Sequence, residues 1–339
     1  MEVSKPKTRR TDGPITTPLE CFRHGKDSIS MGNALAELAM RLVDAEDRED
    51  FRKADGVTAI VDQLARLLEE QATMNYAWQT SEVFGSGKNT KYTTRFSSRV
   101  RIDYSLIPVI IHKLTSSLVV ALCHASIDAE IAVEMHELNA LETLFQTLSV
   151  LPEHLDDYVP FVLESCRNLC GSDGYSSLPT DFVQSMWEIL LSKEAPTYWH
   201  ELAAETLTNI AAIDPSRAAA TLSRISATLS LFLQVSHSDS TGFGLALCDL
   251  LCNLCCDQAC CLLVICELDT CRPRGHLRHS GVVYLAELTE KAQDDALKQS
   301  MEALVHNLSW SDPTGKRSVQ KLALCSFMTR FALEPAISS

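Results

Sequence analysis

The chain is poor in residues that break helices: its 339 residues include 13 glycines and 12 prolines, and runs of alternating apolar and polar residues are nearly absent. That excludes a fold built on many short strands joined by tight turns. Long apolar runs are missing too. No stretch reaches the roughly 18 residues that a membrane-spanning helix needs, and Met1 to Pro14 is polar and basic, without the apolar core of a secretory signal. An excess of positive charge is also lacking. Against 30 Lys and Arg stand 44 Asp and Glu, a net charge of -14 that repels nucleic acid and anionic membrane except where a local patch reverses the field. Basic partners are favoured instead. What the chain does have is 46% hydrophobic side chains, enough to bury a large core as two compact domains or as one elongated array. It also has 13 cysteines, odd in number and clustered, unlike the spaced, even set of a secreted disulfide framework. This usage points to a reducing compartment, cytoplasmic, nuclear or both.

Apolar residues recur at spacings of three and four, as in Leu35, Leu38 and Leu42 or Leu245, Leu251 and Leu254, so the expected fold class is all-α. An all-helical chain of this length is often a stack of short units. Self-similarity is present. "VDAE" at Val43 to Glu46 reappears as "IDAE" at Ile127 to Glu130, and each copy then enters an apolar helix, "GVTAIVDQL" from Gly56 and "ALETLFQTL" from Ala140. The offset is 84, twice 42. A finer mark runs through the second half: "ESCRNLCGSD" ends a helix at Asn168, "AETLTNIAAID" at Asn209, "LCDLLCNLCCD" at Asn253 and "MEALVHNLSWSD" at Asn307. Each Asn precedes an apolar residue and then an Asp four or five positions on, with gaps of 41, 44 and 54; stepping back 44 from Asn168 lands on His124, with Asp128 in the expected place.

These segments resemble the armadillo-repeat family, whose unit is about 42 residues in three helices. "ADGVTAIVDQLARLL" and "SLIPVIIHKL" look like the family's helix start, and the Asn segments look like its helix end. HEAT repeats share the period with two helices per unit, and the Asn ladder favours armadillo. The resemblance implies a right-handed superhelical solenoid of about seven repeats, with the second and last degenerate. The expected organisation is a disordered basic segment over residues 1–27 and a repeat domain over 28–336, interrupted by insertions at about 84–103 and 266–281.

In the resembled family the ladder Asn lines a concave surface and hydrogen-bonds the backbone of an extended partner, because its amide offers both donors and an acceptor. Carried over, this implies a partner-binding groove with Asn168, Asn209, Asn253 and Asn307, and His124 replacing one. Each Asn could instead satisfy neighbouring loop backbone at a helix end. One turn earlier stand Glu164, Glu205 and Asp249, with Ala303 before Asn307. Family members that bind nuclear-localisation signals carry Trp at that position, so import-receptor activity is not expected. A row of carboxylates beside amides suits a basic or amide-rich protein segment, and it is equally compatible with a solvated acidic face.

Four other patterns bear on chemistry. Cys248, Cys252 and Cys255 have the Cys-x3-Cys-x2-Cys spacing of iron-sulfur radical enzymes, but on a helix they fall within roughly 60° of one another, on a stripe flanked by Leu251 and Leu254. A helix interior is the expectation. Cys266, Cys271, His276 and His279 have zinc-ligand chemistry in an expected loop, at spacings that match no common finger. Gly85-Ser-Gly-Lys88 fails as a phosphate loop, because Glu82 stands where the first Gly belongs and Asn89 where the Ser or Thr belongs. What remains there is a basic loop with Lys88, Lys91, Arg95, Arg99 and Arg101, able to take RNA, a phosphorylated ligand or an acidic surface, or simply solvated. No Ser-His-Asp or Cys-His set can be assembled.

The expectation is therefore a non-catalytic scaffold without a cofactor that binds a protein segment, nucleic acid being disfavoured. The alternative is a zinc-stabilised or basic-loop binder of nucleic acid or a phospho-ligand. With the Cys266, Cys271, His276 and His279 set incidental, purified protein should carry well under one zinc per chain, and a chelator should leave its melting temperature unchanged.

Overall fold

The computed structural model describes residues 13–25, 27–84, 107–150, 155–172, 178–218, 220–235, 241–271 and 280–311; among them are fifteen α-helices, one 3-10 turn and no strand. The all-α expectation holds. The chain divides into two compact units, Met1–Ser177 and Leu178–Ser339. The first contains α1 (Thr16–His24), α2 (Ser28–Arg41), α3 (Ala45–Lys53), α4 (Gly56–Phe84), α5 (Ile107–Ala125), α6 (Ala129–Glu137), α7 (Ala140–Val150) and α8 (Leu155–Cys170). The second contains α9 (Phe182–Leu191), α10 (Thr197–Ile213), the 3-10 turn (Pro215–Ala218), α11 (Leu222–Val235), α12 (Thr241–Leu254), α13 (Gln258–Cys271), α14 (Gly281–Lys291) and α15 (Asp295–Ser311).

The recurring aspartates mark helix starts. Asp128 accepts from the backbone N–H groups of Glu130 and Ile131 at the head of α6, and Asp257 accepts from that of Cys260 in the first turn of α13. Asp214 does the same for Ser216 in the 3-10 turn. Each satisfies a donor that the first helical turn leaves without an intrahelical partner, worth about 1 kcal/mol. A second signature stands at the next corner. Asp55, Asn139 and Asp181 adopt left-handed backbone angles, φ 57°, 53° and 63°, immediately before α4, α7 and α9. Asp and Asn tolerate that region better than other non-glycine residues, which is why the chain turns there.

In the first unit α2 packs on α5 and α5 on α8; in the second α10 packs on α12 and α12 on α15. Their inward stripes are apolar: Leu35, Leu38 and Leu42 on α2, Leu118 and Leu122 on α5, and Leu247, Leu250, Leu251 and Leu254 on α12 are all fully buried. At roughly 1.5–3 kcal/mol for each large side chain, this burial is the main driving force.

Three expectations about organisation are corrected. Residues 1–27 are not disordered throughout, because Ile15, Leu19 and Phe22, at helical spacing, are buried as α1 packs against α2. The polar character of the surrounding sequence hid that short stripe. Among the described residues the expected second repeat places no helix between α2 and α5: α2 lies directly on α5, so the offset of 84 joins two helices packed on each other. Among the described residues three helices stack in the first unit, α2, α5 and α8, and three in the second, α10, α12 and α15; residues 312–336, which include the last expected unit, lie outside the described residues. Finally, the insertion expected at 266–281 begins as helix, since α13 continues to Cys271 because Val264 and Leu268 stay buried on its inner face. The insertion expected at 84–103 lies outside the described residues except for Phe84, the last residue of α4.

Gly281 opens α14 where the chain passes close to α13. A Cβ there would lie 2.5 Å from the backbone carbon of Leu268, and the Gly281 N–H donates to Asp269 Oδ1. Backbone cannot swing aside as a flexible side chain could. Gly281→Ala should therefore lower the unfolding free energy by about 1–3 kcal/mol in urea denaturation.

Candidate functional site

The ladder is built from polar side chains that reach the preceding stacked helix. His124 Nδ1 lies 2.6 Å from the Ala39 carbonyl oxygen, Asn253 Nδ2 donates to the Thr208 carbonyl at 3.1 Å, and Asn307 Nδ2 donates to the Cys252 carbonyl at 3.2 Å. Asn168 reaches its target through a relay: its Nδ2 donates to Ser126 Oγ at 3.0 Å, and that hydroxyl donates to the Cys123 carbonyl at 2.8 Å. The acceptors obey one rule. Cys123, Thr208 and Cys252 each precede a ladder residue, His124, Asn209 and Asn253, and Ala39 precedes Met40. A carbonyl can only accept, so Nδ1 of His124 carries the proton. Asn209 is half-buried on α10 in the matching position.

Part of the Asn168, Asn253 and Asn307 amides is therefore committed to the fold itself, a use that lies outside both partner binding and loop capping. Asn253 and Asn307 remain half-buried, and each retains a carbonyl oxygen on its amide. Asn168 is more occupied, because its Oδ1 accepts from Arg167 at 3.0 Å.

The acids one turn earlier are half-buried, and their surroundings differ. Glu164 forms an ion pair with Arg167 at 3.2 Å, with side-chain exposures of 28% and 29%. Asp249 accepts a hydrogen bond from Ser300 Oγ on α15. Glu205 occupies the same position on α10.

The alignment of α2 with α5 adds residues that reading from the Asn pattern missed. Met40 falls at the ladder position and Ala36 at the acid position, both exposed. The signal lay in the "VDAE" and "IDAE" copies, which place Met40 over His124 and Ala36 over Val120. A search keyed on Asn passes over a methionine, and one keyed on acids passes over an alanine.

The cysteine-rich stretch is a helix interior in part. Cys248, Cys255 and Cys261 are buried, Cys252 and Cys260 lie at the edge, and Cys256, Cys266 and Cys271 are exposed. Burial pushes the Cys248 thiol up to about 12 and Cys252 to about 11. Cys255 is raised further, first by its hydrogen bond with Cys261 and then by burial. These thiols stay protonated and weakly nucleophilic at neutral pH. No group of three or more His, Cys, Asp or Glu able to hold a metal is present among the described residues. Cys266 and Cys271 were expected in a loop but stand on α13, about 140° apart around its axis, so they face different directions. His276 and His279 lie outside the described residues, as do Lys88, Lys91, Arg95, Arg99 and Arg101 of the basic loop.

No family model matches the chain, and no curated protein matches it. Among solved structures it is similar to an engineered protein determined as a Northeast Structural Genomics Consortium target, with 11% identity, a TM-score of 0.54, and 88% of this chain and 97% of that chain covered. At that identity the likeness speaks to fold alone, and it agrees with an all-helical architecture.

The internal role of the amides has a measurable consequence. Asn253→Ala and Asn307→Ala should each lower the unfolding free energy by about 1 kcal/mol in urea denaturation, the net worth of a hydrogen bond to backbone.

Proposed function

We propose that this chain is a non-catalytic interaction scaffold, an armadillo-like solenoid of stacked helical repeats whose ladder faces bind an extended, basic or amide-rich protein segment in the cytoplasm or nucleus. The observation that carries this reading is the shared register within each unit. A polar ladder side chain grips the previous copy, and at Glu164, Glu205 and Asp249 an acid stands one turn earlier on the same face. A scaffold with that register presents equivalent groups at regular intervals, as an extended chain presents its own backbone and side chains. Carboxylates in the row favour Arg and Lys, since charge-assisted hydrogen bonds exceed neutral ones. The net charge of -14 favours a basic protein segment over nucleic acid. No helix among the described residues is long and apolar enough to cross a membrane.

Peptides selected on the protein from a random-peptide phage library, then titrated by fluorescence anisotropy across a range of salt, test the proposal. They should be rich in Lys and Arg. Glu205→Lys and Asp249→Lys should each cost about 0.5–1 kcal/mol of binding, and Glu164→Lys less, because Arg167 already neutralises part of that carboxylate. Reversing all three should cost more than any one and flatten the salt dependence. The scaffold reading is overturned if the triple reversal leaves affinity untouched while alanine at Lys88, Arg95 and Arg99 abolishes it.

A further inference from the structure

The outward stripe of α2 is unusual within the first unit. Ile29, Asn33, Ala36 and Met40 recur at helical spacing on α2, Val43 follows on the turn after it, and all are exposed, Ile29 by 74%, Met40 by 68% and Val43 by 59%. The opposite stripe, with Leu35, Leu38 and Leu42, is fully buried. The bond from His124 to the Ala39 carbonyl sets Met40 beside His124, and three residues further along, on the turns that follow α2 and α5, Val43 and Ile127 take corresponding places. Ile127 is 56% exposed. A lone exposed aliphatic residue is ordinary, but a set in one register across two packed helices forms a patch of the kind that marks interaction sites.

This patch is held in shape. Arg48 Nη1 donates to the carbonyls of Leu42 and Val43, at 2.9 and 2.8 Å, which fixes the turn that carries Val43. The neighbouring cations are occupied: Arg41 makes a two-pronged pair with Asp47 at 2.7 and 3.0 Å, and Arg48 is engaged by backbone. Two neighbouring acids act on Arg41 only at longer range. Glu37 is half-buried on the flank of the stripe and Asp44 is exposed just beyond Val43, and neither forms an ion pair among the described residues. Asp44 also leaves its helix N-terminus uncapped by its side chain. Residues 36–48 hold four acids, Glu37, Asp44, Glu46 and Asp47, against Arg41 and Arg48, so the border of the apolar patch is negative.

We propose that this patch of Met40, Val43 and Ile127 is the anchoring site for one aliphatic or aromatic side chain of a protein partner, flanked in the partner by Lys or Arg that pair with Asp44 and Glu37. The proposal rests on the scaffold reading and adds the partner's chemistry at the first unit. Charge complementarity selects this occupant. A second copy of the chain would bring like carboxylates together, and a neutral apolar segment would leave the border unpaired. Affinity then has two sources: apolar burial at the anchor, which salt hardly touches, and the flanking ion pairs, which salt screens.

The test uses the phage-selected peptides, labelled with fluorescein and titrated against the wild type and a Met40→Ser/Val43→Ser/Ile127→Ser variant at low and high salt. All three positions are exposed, so circular dichroism and the urea midpoint should stay at wild-type values. Should that variant lose its fold, Met40→Arg alone, which sets a cation against a basic peptide, replaces it. The selected peptides should share an aliphatic or aromatic residue next to Lys or Arg, and the serine variant should bind them about tenfold more weakly at both salt concentrations. Serine at that peptide residue should weaken wild-type binding by a similar factor and add little in the variant. The anchor is overturned if the peptides share no such residue, or if the variant binds them within about twofold of the wild type. If binding then still falls on reversal of Glu164, Glu205 and Asp249, the anchor alone has failed. No enrichment of any peptide sinks both proposals. A wild-type dimer in sedimentation that the serine variant converts to monomer assigns the patch to a second copy, which also overturns the anchor.

Discussion

One hydrogen bond recurs through both units: a polar side chain on one stacked helix donates to the carbonyl that precedes the corresponding residue of the helix before it. His124, Asn253 and Asn307 make it directly, and Asn168 makes it through Ser126. At about 1 kcal/mol each, these bonds contribute less than the buried leucines around them. Their importance is geometric. Apolar stripes tolerate sliding, because one leucine contact resembles the next, whereas a side-chain amide reaches one carbonyl and misses its neighbours. The bond therefore fixes axial register between copies, and every regularity on the outer face follows from it.

Once the register is fixed, the positions four before and three after each ladder residue must also line up. The position four before carries Ala36, Val120 and Glu164 in the first unit and Glu205, Asp249 and Ala303 in the second. The position three beyond carries Val43, Ile127 and Gly171 in the first. The two units have thus kept one framework while their ladder chemistry differs, with Met40, His124 and Asn168 in the first and Asn209, Asn253 and Asn307 in the second. A framework held by backbone acceptors permits this, since the carbonyl of residue 39 accepts from His124 whatever side chain residue 40 carries.

Much of this was legible in the sequence because the groups that set the register are chemically distinctive. Asn168, Asn209, Asn253 and Asn307 could be aligned by eye, and Asp214 and Asp257, which follow two of them, are explained by the N–H donors that a helix start leaves open. What escaped had weaker marks. The α1 helix was hidden because three apolar residues, Ile15, Leu19 and Phe22, sit in a polar, basic neighbourhood. The offset of 84 suggested two units because twice 42 is arithmetically attractive, yet only the packing of α2 on α5 could show that it joins two helices packed on each other. Met40 escaped for the opposite reason: its side chain has no part in the bond, and the carbonyl of the residue before it accepts instead. The cysteine stretch misled in part, because helical periodicity placed Cys248, Cys252 and Cys255 inside together, whereas Cys252 lies at the edge and Cys255 is buried on the turn after α12, beside the exposed Cys256.

The same interaction bears on how a surface can serve fold and partner together. An amide has two N–H donors and a carbonyl, and the stack uses one donor of Asn253 on Thr208. The amide plane is thereby fixed, so under the proposed function a partner meeting the remaining donor and acceptor would cost less side-chain freedom on binding. The acids are restrained by the same logic, Asp249 by Ser300 and Glu164 by Arg167. A face assembled this way trades some availability for pre-organisation: Arg167 offsets part of the Glu164 charge that a basic segment would feel, and Ser300 occupies one carboxylate oxygen of Asp249. The first copy escapes that compromise. Ala36 and Met40 stand at the acid and ladder positions with side chains the stack does not use, and Asp44 caps no N–H, whereas its counterpart Asp128 caps two. Where the stack asks least of its outer residues, those residues are freest to meet something else.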